Sequence, residues 1–168
     1  MGMSAERALG MSERQTGEGG ASARAKAGAI ALAEHGPLLA KVAMALVGEQ
    51  EHAEKVLEAV AREVATLDLG SDPRVALLGR VRAACAAHAT RAPLRSRPGA
   101  GETAASEAAA ARRKLGRLRP TEREALVLHL VGGLDVRGVA AACGGISEEV
   151  ARQRVTSAMS QMLEEDGR

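Results

Sequence analysis

Phe, Tyr and Trp are absent from all 168 residues. Large aliphatic side chains are also sparse, with 18 Leu, 13 Val and 2 Ile. Strands are built from β-branched and aromatic residues, so these shortages exclude a β-sandwich or barrel. Cysteine is limited to Cys85 and Cys143, far apart and without metal-ligand spacing, which reads as two small buried hydrophobes. No apolar run approaches the ~20 residues that span a bilayer. The first twenty residues, MGMSAERALGMSERQTGEGG, lack the apolar core of a signal peptide, so a cytoplasmic, non-membrane protein is expected. Charge of one sign is lacking too: 23 Lys and Arg stand against 21 Asp and Glu, a net +2 that is too small to favour disorder. Chemistry-bearing patterns are missing as well. There is no P-loop, no glycine-rich dinucleotide turn, no nucleophile elbow, and no paired-histidine metal motif among His35, His52, His88 and His129. No catalytic residue, metal ligand, cofactor or small-molecule substrate is expected.

What is present is alanine, 36 residues of it. Alanine is the best helix former but buries little surface, so the expectation is an all-α protein with helices around thin Leu/Val seams. Residues 1–21 are rich in Gly, Ser and charge and read as a disordered tail. From Ser22 to Val47, apolar residues recur at helical spacing (Ile30, Leu32, Leu38, Leu39, Val42, Leu46), with Gly36-Pro37 expected to break or kink the run. Gly48 can end it. A second helix is predicted from Glu51 to Leu67, and a third from Asp72, which can cap it, to Arg91. These make a first helical domain over 22–91. The segment 92–106, with two Pro and two Gly, reads as a flexible linker.

A second domain is predicted over 107–168. A helix near Ala104–Arg117 carries Arg112, Arg113, Lys114 and Arg117. Thr121 and Glu124 have capping-box spacing, Gly132-Gly133 stops the next helix, and Asp135 can cap a short one from Val136 to Cys143. Gly144-Gly145 makes a tight turn, and Ser147 can cap a last helix whose expected buried stripe is Val150, Val155, Met159, Met162 and Leu163. Short helix, glycine turn and capped longer helix form the layout of a helix-turn-helix.

Pro120, Glu122-Arg123-Glu124, Leu126-Val127-Leu128, Gly133-Leu134, Gly145-Ile146-Ser147 and the spaced Arg152 and Arg154 together resemble region 4 of bacterial extracytoplasmic-function sigma factors. More loosely, residues 35–67 and 72–91 resemble region 2 of the same family, through Gly36 to Leu39, Val47-Gly48, Ala53-Glu54 and the Leu77-Leu78 to Val81 run. Two sigma-like helical domains in the family's order are therefore expected. The resemblance implies docking on RNA polymerase core through Glu51, Glu54, Lys55, Glu58 and Arg62. It implies reading of a −35-type element in double-stranded promoter DNA through Arg137, Arg152, Gln153, Arg154, Thr156 and Ser157. An anti-sigma factor is a further partner the family implies.

The departures from the family are specific. Lys55 and Glu58 replace the usual acid and Gln, and Ala61 and Ala65 stand where aromatic residues are usual. Ala76 or Leu77 replaces a Trp, and Ala84 and His88 replace Asn and Asp. Stacking on aromatic faces contributes about 1–3 kcal/mol per unstacked base, and no Phe, Tyr or Trp ring is present to supply it. Promoter melting is therefore not carried over. Residues 120–168 hold 5 basic and 8 acidic residues, whereas 92–119 hold 7 and 2, so attraction to phosphates is concentrated ahead of the helix-turn-helix. The alternative reading is a degenerate sigma-like helical module that binds a regulatory protein without binding DNA.

Overall fold

The computed structural model describes residues 6–91 and 107–164, which hold seven α-helices and no strand. The all-α expectation holds. The linker over 92–106 lies outside the described residues.

Helix α1 (Glu6–Val47) is longer than its sequence suggests. Its backbone reaches through most of the stretch assigned to a tail, because lengthening an existing helix gains one hydrogen bond per residue fixed. It also runs unbroken through Pro37. Proline removes the bond to the carbonyl of Ala33, and both residues are on the solvent side, where water can serve that carbonyl. The opposite face buries Ala31, Leu39, Val42, Ala43, Leu46 and Val47. Against the expectation that no stretch approaches a spanning length, Gly20–Val47 is long and apolar enough to cross a bilayer, because the unbroken α1 joins two shorter apolar runs; its buried face packs on α2 (Gln50–Glu63) and α3 (Pro73–Arg91). Helix α2 presents Ala53, Val56 and Val60 inward. Helix α3 is capped as expected: Asp72 Oδ1 accepts from the Val75 N–H at 3.1 Å.

The second half comprises α4 (Glu107–Arg117), α5 (Pro120–Leu130), α6 (Val136–Ala142) and α7 (Glu148–Glu164). The expected capping box at Thr121 does not form. Pro120 occupies the first helical position, Arg119 precedes it without a side-chain cap, and Glu124 turns away to Arg82. Asp135 does cap α6, accepting from the Gly138 N–H at 2.7 Å. Asp135→Ala is expected to cost about 1 kcal/mol, measured by urea unfolding, because the first turn of α6 loses an acceptor. The buried stripe of α7 is Ala151, Val155 and Ala158, with Met162 half-buried, whereas Val150, Met159 and Leu163 are exposed. The small alanines allow α7 to lie close on α5 and α6, which turns the larger side chains outward.

The two halves do not stand apart. A continuous buried cluster joins Leu39, Val42, Val56, Val60, Leu77, Leu78 and Val81 of the first half to Val127, Leu128, Val139, Ala142 and Val155 of the second. The seam lies along α3, against α6 and the end of α5. Arg82 donates through Nε to the Ala142 carbonyl and through a terminal nitrogen to Glu124, each at 3.1 Å. Two turns earlier, Arg74 donates to the Gly132 carbonyl. Between them, a Cβ at Gly79 would lie 3.2 Å from the Ala142 carbonyl oxygen and 3.3 Å from its Cα, so only glycine lets α6 come this near without a shift.

Candidate protein-docking and nucleic-acid interfaces

Glu51, Glu54, Lys55, Glu58 and Arg62 are all exposed. At 100° per residue they fall within one sector of α2, opposite Ala53, Val56 and Val60. Successive turns are linked along that face: Gln50 donates to Glu54 at 2.8 Å, Lys55 pairs with Glu51 at 2.6 Å, and Arg62 pairs with Glu58 at 3.1 Å. The Lys55 ammonium, donating to Glu51 and attracting it, holds that carboxyl below its ordinary range, and Glu51 raises Lys55 in return. The result is an ordered, fully wet charged stripe whose long-range attraction is screened by salt. At its start, His52 pairs with Glu49 at 2.9 Å and packs against His88 of α3, with ring centroids 4.5 Å apart.

In the second half, α6 and α7 are joined by a tight glycine turn. Gly144 and Gly145 both have positive φ, at 89° and 76°, which lets the chain reverse in two residues. Ser147 Oγ then accepts from the Val150 N–H at 3.3 Å, and Glu148 and Glu149 occupy the first turn of α7. The structure divides the sequence-predicted reading residues. Arg152, Gln153 and Thr156 are exposed within one outward sector of α7, and Arg137 is exposed on α6. Arg152 is paired with Glu149 on the same helix. Arg154 and Ser157 face another side. Arg154 is half-buried, and Ser157 donates to Glu122 of α5 at 2.9 Å.

Glu122 is the polar residue that periodicity overlooks. It is only 8% exposed. Its second oxygen accepts from Gln161 at 3.2 Å, so one carboxylate grips two successive turns of α7. Donation from Ser157, and then from Gln161, lowers its carboxyl below the ordinary range against the opposing effect of burial. The acidic-Arg-acidic start of α5 contains Glu122, but nothing local marks it as the residue that turns inward. Burial also raises the thiol of Cys85 to about 12 and that of Cys143 above its usual value. Both therefore lack thiolate character at neutral pH. Among the described residues no group of three His, Cys, Asp or Glu is placed to hold a metal ion.

No protein-family model matches the chain. No curated protein matches it either. Solved structures do. One is the anti-anti-sigma factor PhyR in complex with the anti-sigma factor NepR from Bartonella quintana, with 16% identity and a TM-score of 0.59. That match covers 82% of this chain and 49% of the other, so the chain spans about half the length of that relative. A second is CnrH in complex with the cytosolic domain of CnrY, with 22% identity and a TM-score of 0.64, covering 84% of this chain and 88% of the other. The fold is sigma-factor-like. At these identities the likeness concerns the fold alone.

Proposed function

We propose that this chain is a sigma-factor-like regulator of transcription initiation, acting in the cytoplasm. In this reading α2 docks on RNA polymerase core through Glu51, Glu54, Lys55, Glu58 and Arg62. Helix α7 reads a −35-type duplex element with Arg152, Gln153 and Thr156, while Arg137 and Arg154 hold register on phosphates. Ser157 serves by orienting α7 through Glu122 instead of touching bases. The observation that carries the reading is the outward sector of α7: an Arg, a Gln and a Thr side by side on the second helix of a capped helix-turn-helix corner. Arg suits guanine or phosphate and Gln suits adenine. In this reading the protein acts by binding, and promoter melting is not assigned to it because it has no Phe, Tyr or Trp to stack on unpaired bases.

Fluorescence anisotropy on promoter duplex, with core polymerase present, tests this at two salt concentrations. Arg152→Ala and Gln153→Ala are each expected to weaken binding by about 1–3 kcal/mol and to relax discrimination at one base pair. Arg154→Ala is expected to weaken all sequences alike and to lower the salt slope by about one.

A second reading has its own observation. Met159 and Leu163 are 41% and 68% exposed on the same side of α7 as Arg152 and Thr156. Large apolar side chains there suit a protein surface better than a phosphate backbone. Both solved relatives hold a protein partner, one of them an anti-sigma factor. Under this reading the chain is a sigma-like interaction module bound by a regulatory protein of that kind. Equal DNA binding by the parent and by Arg152→Ala would select it.

A further inference from the structure

We propose that Glu149 is a specificity-determining residue of α7. It withholds Arg152 from phosphates, and on duplex DNA it accepts from the amine of a cytosine next to the guanine that Arg152 takes. The inference rests on the DNA-reading role proposed above and names the base step which that role selects.

Glu149 stands inside the sector assigned to reading, not beside it. With Arg152 as origin, 100° per residue puts Thr156 at about 40°, Glu149 at about 60° and Gln153 at about 100° round α7. All four side chains are exposed. Glu149 is also in the first turn of α7, and the N-terminal residues of a helix lying in the major groove are the ones that meet base edges. Glu148 falls about 40° to the other side of Arg152, toward buried Val155 and outside the sector.

A carboxylate in this place opposes indiscriminate attraction to DNA. It repels phosphates, and it holds the Arg152 guanidinium at 2.5 Å, so a phosphate must draw Arg152 away from a partner already in contact. Residues 120–168 carry 8 acidic against 5 basic side chains, so that stretch as a whole adds no attraction of its own. In the major groove a carboxylate accepts from the N4 amine of cytosine, while Arg donates to O6 and N7 of guanine. Three residues separate Glu149 from Arg152, about 4.5 Å along the helix axis. Successive base pairs lie about 3.4 Å apart, so the two side chains span one step, with guanine at one position and cytosine at the next. Opposite any other base Glu149 meets an acceptor: O6 of guanine, O4 of thymine, or N7 of adenine beside its amine. Arg152 thus supplies the attraction to guanine, and Glu149 the penalty against wrong steps.

Selection from a randomised duplex pool by the full chain with core polymerase, followed by titration of the enriched and random duplexes at several salt concentrations, tests this. The parent should enrich a site with adjacent guanine and cytosine. Glu149→Gln keeps the shape of the side chain, and an amide suits adenine. Cytosine should therefore give way to adenine at that one position, with discrimination for cytosine falling roughly tenfold. Binding to random duplex should strengthen, and its salt slope should steepen by about one, as Arg152 becomes available to a phosphate. Glu148→Gln removes the same charge from the same turn and should leave the base preference as it is. An unchanged preference in Glu149→Gln would overturn the assignment. So would the same change in both variants, because a helix N-terminus favours any acid in its first turn alike. A parent that enriches no sequence at all defeats the proposed function itself, whereas a parent that enriches a site indifferent to residue 149 defeats this inference alone.

Discussion

Leu78→Ala is expected to lower the unfolding free energy by about 2–5 kcal/mol. Leu78 is fully buried in the cluster that runs through both halves, so the cavity it leaves cannot be filled from solvent-facing chain. Domains of this size are stable by about 5–15 kcal/mol, which makes the loss a large share of the total. Alanine is a good helix former, so α3 itself is not penalised and the effect reports packing. Because the cluster joins Leu77, Leu78 and Val81 to Val139, Ala142 and Val155, the loss should appear in one transition. Urea titration followed by circular dichroism and by cysteine protection checks this. The two signals should move to lower urea together, whereas independent halves would give two separate curves.

The second large effect concerns Glu122. Glu122→Ala removes the acceptor that Ser157 and Gln161 share, leaving the part-buried Ser157 hydroxyl without its acceptor and Gln161 with only Ser157 Oγ, at 3.2 Å. The expected cost is about 1–3 kcal/mol. DNA affinity should fall further than stability alone explains, because α7 loses the grip that sets its rotation on α5. The pH dependence has a definite sign. Donation from Ser157 holds the carboxyl of Glu122 below the ordinary carboxylate range in the folded state. A lowered folded value means that its stabilisation is fully present above the unfolded value and is lost as pH falls through the folded one. Wild-type stability should therefore drop below about pH 4.5 by an amount that Glu122→Gln lacks. Thermal melts of both proteins between pH 3 and pH 7 provide the test; parallel curves over that window would contradict the assignment.

Features that depend on near neighbours were legible in the sequence. Asp72, Asp135 and Ser147 cap helices as expected because a cap needs only an oxygen and an N–H a few residues on. The short helix, the glycine turn and the longer helix after it were legible for the same reason. Misreadings arose where tertiary context decides. Periodicity points to the largest apolar residues as the stripe of α7, although alanines at 151 and 158 are what face the core. Thr121 has capping-box spacing, but Pro120 begins the helix one residue too early for it to cap. Ser157 sits in sequence among the expected base-reading residues, and only the placement of α5 reveals that it donates to Glu122, 35 positions away. Arg82 and Glu124 are separated by 42 positions, and no local pattern joins them. Two domains were expected; their shared cluster was not legible because it depends on α3 and α6 meeting.

In the proposed role the sigma-like fold engages polymerase and duplex DNA at once. Size-exclusion chromatography of the full chain with core polymerase and a labelled promoter duplex tests it most directly. The expected result is a stoichiometric complex containing all three components, lost when Glu51, Glu54 and Glu58 are changed together to lysine and lost for DNA alone with Arg152→Ala. Elution of the chain apart from both polymerase and DNA would contradict it.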